Sequence, residues 1–88
     1  MTTEKPIRVQ RVQTGLRVEK RMLKVLKALA EYHDLTLADL VEGIVLHALE
    51  GGSPFQGERA HKVISELKGV YGMDYGVEAS HRLTEGER

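Results

Sequence analysis

The sequence contains no cysteine, and its aromatic residues are few. It has no tryptophan and only one phenylalanine among 88 residues. Without cysteine the chain forms no disulfide and offers no thiolate ligand to a metal. A chain this short buries a limited fraction of its surface, and small domains without such staples often complete their core by oligomerising. Composition alone therefore leads us to expect a dimer.

Long apolar runs are also missing. No stretch approaches the roughly 20 apolar residues that span a bilayer. Residues 1–6 are polar and lack the apolar core of a secretory signal. We therefore expect a cytoplasmic protein that does not contact membranes.

The residues that usually carry chemistry form no recognisable constellation. The histidines are 14, 14 and 20 residues apart, at His33, His47, His61 and His81. No two of them have the i, i+4 spacing of a helical zinc site. There is no glycine-rich phosphate loop and no nucleophile with a matching base. We expect no enzymatic activity, no metal site and no cofactor.

The formal net charge of zero conceals a separation of charge along the chain. Residues 1–27 contain eight Lys and Arg and two acids, a net charge of +6. Residues 28–52 contain five acids and no Lys or Arg, and residues 53–88 contain five bases and six acids. A basic segment of this kind indicates a polyanionic partner such as nucleic acid. The alternative is a solvated basic surface that the acids neutralise.

Residues 7–18 alternate apolar and polar side chains, which is typical of a β-strand. The alternation changes phase once, because Ile7 and Val9 occupy odd positions whereas Val12, Leu16 and Val18 occupy even ones. The segment is therefore either two short extended pieces or one strand preceded by an arm. We favour a strand at 12–18, preceded by a flexible basic arm at 1–11. A lone strand must pair to satisfy its backbone groups, and the same strand of a second copy is the expected partner.

Two helices are predicted next. Residues 19–33 carry apolar side chains at helical spacing, and this helix should stop near His33 and Asp34. Thr36 is a favourable N-cap for the second helix, with Asp39 three residues later, as in a weak capping box. Apolar residues then follow at helical spacing until Gly51 and Gly52 end the helix.

Residues 53–88 form a predicted C-terminal extension. Ser53, Pro54 and Gln56 suit the N-cap, first and third positions of a helix that we place at about 54–70. The remaining residues up to 88 are expected to be partly disordered.

The order of basic strand, helix, short turn and helix resembles the ribbon-helix-helix repressors, the family of Arc, MetJ and CopG. The matching residues are 12–18, 26–31 and 35–41, within a domain that we place at 12–52. The resemblance implies a mainly α fold with one short strand per chain. It also implies a dimer in which two strands form an antiparallel ribbon that enters the DNA major groove.

The resemblance assigns the reading of bases to the outward positions of the ribbon, which are Gln13, Gly15 and Arg17. Arginine can bond guanine through two hydrogen bonds, and glutamine can do the same with adenine. Gly15 has no side chain, so each strand is expected to read fewer bases than is usual. Arg17 on a strand has a simpler alternative role as an edge charge that blocks aggregation.

Phosphate contacts are expected from two sources. In the family the second helix points its N-terminus at a phosphate, here with the residues Thr36, Leu37 and Ala38. The flanking cations are the second source, at Arg11, Lys20, Arg21 and Lys24. The alternatives are that the two lysines and Arg21 are only solvated surface and that Arg11 belongs, with Arg8, to a disordered tail. The dimer core is expected to contain Leu16, Val18, Leu26, Leu40, Val41 and Ile44.

The leading hypothesis is therefore a homodimeric transcriptional repressor that binds double-stranded DNA. A second hypothesis is an antitoxin of the same fold, whose residues 53–88 fold around a toxin. A third is a protein-interaction dimer without DNA binding. In that case the apolar side of 60–71 joins dimers into tetramers or docks another protein.

Overall fold

The computed structural model describes residues 6–50 and 56–86. Within them the elements are β1 (Ile7–Val9), α1 (Lys20–Tyr32), α2 (Leu37–Leu49), α3 (Glu58–Tyr71), a 3-10 turn (Val77–Ala79) and β2 (Leu83–Glu85). The fold is mainly helical with one short strand pair, in line with the predicted class. No helix in these two ranges has the length and apolar character needed to cross a bilayer.

The chain divides into two compact units. The first consists of the residues up to Val41 together with the segment from His81 onward, and the second runs from Glu42 to Ser80. The first unit therefore joins the N-terminal and C-terminal parts of the chain. It contains every residue for which the sequence predicts a DNA contact.

The helix α1 confirms the prediction for residues 19–33. It is preceded by Glu19, whose Oε1 accepts a hydrogen bond from the Met22 amide at 2.8 Å. The helix ends where Asp34 turns left-handed with a φ of 60°, and the Leu35 amide donates to the Ala30 carbonyl at 2.8 Å. This arrangement satisfies carbonyls that the helix end would otherwise leave unpaired.

The helix α2 begins as its N-terminal signal predicts. The Asp39 amide donates to Thr36 Oγ1 at 3.0 Å, which is the hydrogen bond of a threonine N-cap. The helix ends at Leu49, and the glycines proposed to stop it, Gly51 and Gly52, lie outside the described residues.

The helix α3 starts later than predicted. Gln56 precedes it, and Gly57 takes the N-cap position with a φ of 105°, which other residues rarely adopt. The proposed start signal at Ser53 and Pro54 lies outside the described residues. The helix ends at Gly72, a left-handed C-cap with a φ of 68°.

Two short strands lie in segments that we predicted to be a flexible arm and a partly disordered tail. β1 pairs with β2 in parallel, with Ile7, Arg8 and Val9 opposite Leu83, Thr84 and Glu85. The Ile7 amide donates to the Arg82 carbonyl at 2.6 Å, and the Gly86 amide donates to the Val9 carbonyl at 2.7 Å. Each segment supplies the backbone partners that the other lacks, so both are ordered together.

A single chain buries little of its apolar surface. In the described part the buried apolar residues are Ala30, Leu46 and Ala79, while many large apolar side chains are exposed. The predicted dimer-core residues follow the same pattern, since Leu26 and Leu40 are half-buried and the others are exposed. The exposed fractions of those others are 81% for Leu16, 46% for Val18, 37% for Val41 and 49% for Ile44.

Candidate nucleic-acid interface

The predicted ribbon, residues 12–18, lies fully exposed between β1 and α1. It has no regular secondary structure, and no backbone hydrogen bond from residues 6–50 or 56–86 engages it. Gln13, Gly15 and Arg17 are all exposed. A Cβ placed on Gly15 would meet no atom of residues 6–50 or 56–86 within 4 Å, so this part of the chain does not require glycine there.

The start of α1 is densely basic. Lys20, Arg21 and Lys24 are all exposed, and the first turn has no acidic residue. Positive charge at a helix N-terminus opposes the helix dipole, typically by about 0.3–1 kcal/mol for each charge. This arrangement destabilises the free chain, and binding of a polyanion to the cations would offset that loss.

Glu19 partly compensates for this clustering. Its Oε2 accepts a hydrogen bond from Arg21 Nε at 3.0 Å, beside the bond from Met22 to Oε1. The Arg21 guanidinium, followed by the amides of Met22 and Arg21, holds the pKa of the Glu19 carboxyl below its ordinary value of 4.5. The pair lies at the surface, with 89% of the Arg21 side chain exposed, so water and salt screen it strongly.

The N-terminus of α2 offers backbone donors. The first amide of α2 with an acceptor four residues back is that of Leu40, which donates to the Thr36 carbonyl at 3.0 Å. The preceding amides, including those of Thr36, Leu37 and Ala38, have no such partner within the helix. Thr36 and Ala38 are exposed, and Leu37 is half-buried. Groups of this kind bind phosphate in many proteins.

The first turn of α2 also contains an acidic residue, Asp39. The Oδ1 of Asp39 lies 3.0 Å from Nδ1 of His81, which comes from the C-terminal part of the first unit. The position of Asp39 three residues after Thr36 predicts a capping role for its carboxylate. In the structure it holds a residue 42 positions away.

Arg11, like Arg21, is held by an acid of the same chain, but the acid that holds Arg11 lies 74 positions away. Its amide donates to Glu85 Oε2 at 3.0 Å, and its Nη2 donates to the Leu83 carbonyl at 3.3 Å. Its Nη1 lies 3.8 Å from Glu85 Oε1. The side chain is 31% exposed, whereas that of Glu85 is 62% exposed.

Three residues that hold groups of this region in place were not predicted from the sequence. They are Glu19, His81 and Glu85, which hold Met22, Asp39 and Arg11 respectively. Glutamate directly before a basic helix is a weak local signal for Glu19. The other two act across 42 and 74 positions, and no local pattern announces such contacts.

The second unit holds a cleft of about 640 Å³ lined in part by Glu50, His61 and Lys68. Glu50 Oε2 accepts a hydrogen bond from the Val77 amide at 3.2 Å, and this carboxylate fills the place that a Cβ on Gly76 would take. Among the described residues, no three His, Asp or Glu side chains gather as they would around a metal ion.

Comparisons with protein-family models, with curated proteins and with solved structures produced no match to this chain.

Proposed function

We propose that the chain is a homodimeric, sequence-specific DNA-binding protein of the ribbon-helix-helix type that acts as a transcriptional repressor. The observation that carries the proposal is the exposure of residues 12–18, directly before the basic start of α1. Val12 and Leu16 are 75% and 81% exposed, which is unusual for apolar side chains on one face of an alternating segment. Pairing with a second copy would cover that face and satisfy the free backbone groups.

The helices support a dimer in the same way. On α1 the side chains of Met22, Val25 and Leu29 are 57%, 64% and 39% exposed. They follow one another at intervals of three and four residues and therefore lie along one side of the helix. An apolar stripe of this kind is expected to be covered, and the same surface of a second, identical chain can cover it.

The charge distribution supports DNA as the partner. Lys20, Arg21 and Lys24 are exposed beside the ribbon, and the amides at the start of α2 belong to the same unit. Phosphate contacts from such groups supply affinity, while Gln13 and Arg17 on the ribbon supply preference for particular bases.

The test of DNA binding is a fluorescence anisotropy titration with duplex DNA at about 50 mM and about 200 mM salt. We expect binding that weakens steeply with salt, because each phosphate contact releases counterions. A random pool of duplexes enriched for bound sequences then gives the preferred site. Absence of binding at the lower salt, or binding that ignores salt, contradicts the proposal.

The test of the dimer is analytical ultracentrifugation of two matched variants. Leu16→Glu places a charge in the predicted ribbon, and Val70→Glu places the same charge at a similarly exposed position on α3, where Val70 is 72% exposed. We expect Leu16→Glu to give monomers and Val70→Glu to leave the dimer intact. A Leu16→Glu protein that stays dimeric would place the interface elsewhere.

A protein partner for the C-terminal extension, as in the antitoxin hypothesis, is the second candidate. It is supported by the apolar side of α3, where Val63, Leu67 and Tyr71 are 46%, 52% and 81% exposed. Deleting residues 53–88 would also remove β2, which pairs with β1, so point substitutions are the cleaner probe. If Val70→Glu leaves mass and DNA affinity unchanged but abolishes capture of a protein encoded beside this one, the second candidate gains.

A further inference from the structure

The contact between Arg11 and Glu85 uses the whole carboxylate of Glu85. One oxygen accepts the Arg11 backbone amide at 3.0 Å, and the other lies 3.8 Å from the guanidinium of the same residue. The carbonyl of Leu83 accepts a further hydrogen bond from that guanidinium. Arg11 is thus bound at two places by one short strand, β2.

A second arginine of the arm packs against the same segment. The side chain of Arg8 lies over Gly86, where a Cβ would come within 3.1 to 3.3 Å of three Arg8 carbon atoms. Two backbone hydrogen bonds, from Ile7 to Arg82 and from Gly86 to Val9, fix this part of the arm along β2. Both arginines therefore lie on the C-terminal strand, immediately before the proposed ribbon.

The guanidinium of Arg11 cannot serve Glu85 and a DNA phosphate equally well. Both are anions that seek the same N–H groups, so each of these groups bonds only one of them at a time. The contact with Glu85 must therefore weaken before Arg11 can contribute to DNA binding. The fraction of molecules in which Arg11 is free then scales the apparent affinity.

We propose that β2 is an autoinhibitory strand, in which Glu85 holds Arg11 away from DNA until the contact with Glu85 is broken. This inference rests on the proposed DNA-binding function and adds a regulatory element to it. Any partner or modification that captures the C-terminal strand would raise the DNA affinity by freeing the arm. The group made available to DNA is the Arg11 guanidinium, which is one cation in each chain and two in the dimer.

The test compares DNA binding by the unaltered protein, Glu85→Gln, Arg11→Gln and the double variant. Surface ion pairs have small free energies, so we expect Glu85→Gln to bind duplex DNA about two- to fivefold more tightly for each copy in the dimer. The slope of log K against log salt should steepen by about 0.9 for each arginine released. In the Arg11→Gln background the same Glu85→Gln change should have no effect.

The double variant separates release of Arg11 from simple loss of a negative charge, which would raise the affinity in both backgrounds. Hydrogen exchange supplies a readout without DNA in Glu85→Ala, which has no side-chain acceptor, so the Arg11 amide should exchange faster there than in the unaltered protein.

If the unaltered protein binds DNA but Glu85→Gln binds equally or less tightly, or if the gain persists without Arg11, the autoinhibitory strand is overturned and the proposed function stands. Unchanged exchange of the Arg11 amide also overturns it. If neither protein binds duplex DNA at low salt, the proposed function falls, and the inference falls with it.

Discussion

The imidazole of His81 and the carboxylate of Asp39 are 3.0 Å apart, and they join the turn before β2 to the first turn of α2. His81 has a φ of 66°, a left-handed conformation that costs a non-glycine residue on the order of 1 kcal/mol. The contact with Asp39 helps to hold this turn in place. The same carboxylate lies in the helix turn at which the sequence predicts a DNA phosphate.

Replacing Asp39 should therefore change stability and DNA binding in opposite directions. Asp39→Asn removes a charge that is favourable at a helix N-terminus, so we expect a loss of about 0.5 kcal/mol in the free energy of unfolding. It also removes a charge that repels phosphate, so we expect tighter DNA binding. Chemical denaturation and anisotropy titration measure the two effects. Asp39→Glu keeps the charge and should leave DNA affinity near that of the unaltered protein. If Asn and Glu behave alike, charge is not the cause.

The N-cap of α2 makes a second prediction. Thr36→Val has nearly the same shape but loses the hydroxyl that accepts the Asp39 amide. We expect it to lower the free energy of unfolding by about 1 kcal/mol. Thr36→Ser keeps the hydroxyl and should lose much less. Urea denaturation of the three proteins tests this, and equal losses for valine and serine would show that the cap is not the source.

The helices were predictable because their signals are local. Thr36 starts α2 through a bond to a residue three positions away, and the apolar spacing of residues 19–33 marks α1. The late start of α3 comes from Gly57, whose φ of 105° is a backbone property that spacing does not reveal. Local sequence is thus a good guide wherever the stabilising contacts are local.

The strand pair was not predictable for the opposite reason. β1 and β2 have three residues each and are separated by more than 70 positions, so neither carries a strong pattern by itself. The phase change between Val9 and Val12 allowed two short extended pieces, but we favoured a flexible arm for residues 1–11, and β1 shows that residues 7–9 form a strand instead. The pairing of residues 12–18 with a second copy stays a prediction, because its partner groups belong to another chain.

Arg17 is the residue on which sequence preference should depend most. Arg17→Ala removes a side chain that can bond guanine through two hydrogen bonds, and we expect a loss of about 1–3 kcal/mol of discrimination at one base position. The dimer should persist. Lys20→Ala, at an exposed cation on α1, should instead weaken binding to all sequences alike and reduce the salt slope. Anisotropy with the preferred site and a scrambled duplex distinguishes them, and uniform weakening by Arg17→Ala would remove it from the base-reading set.

Gly15 lies between the two predicted reading residues and has open space around it. Because a Cβ there meets nothing within 4 Å, Gly15→Ala should leave the thermal midpoint almost unchanged. Gly76→Ala is the matched control, because its Cβ would displace the Glu50 carboxylate from the Val77 amide, and we expect it to lower the thermal midpoint more than Gly15→Ala does. Gly15→Asn adds an amide that can bond adenine and should alter the preferred site. An unaltered preference, or lost affinity for every duplex, would instead indicate that the ribbon needs close backbone approach at glycine.

The pKa of Glu19 predicts how acid affects stability. Folding lowers this pKa from 4.5, so around and below that pH the unfolded chain binds more protons than the folded chain. The stabilisation is therefore complete above pH 4.5 and is lost as the pH falls through the lowered value in the folded state. Glu19→Gln cannot titrate, so the difference in urea midpoint between it and the unaltered protein should shrink as the pH falls from about 6 to about 3. Arg21→Gln, which removes the largest cause of the shift, should reduce the same pH dependence. A difference that stays constant across this range would mean that the carboxylate charge does not stabilise the start of α1.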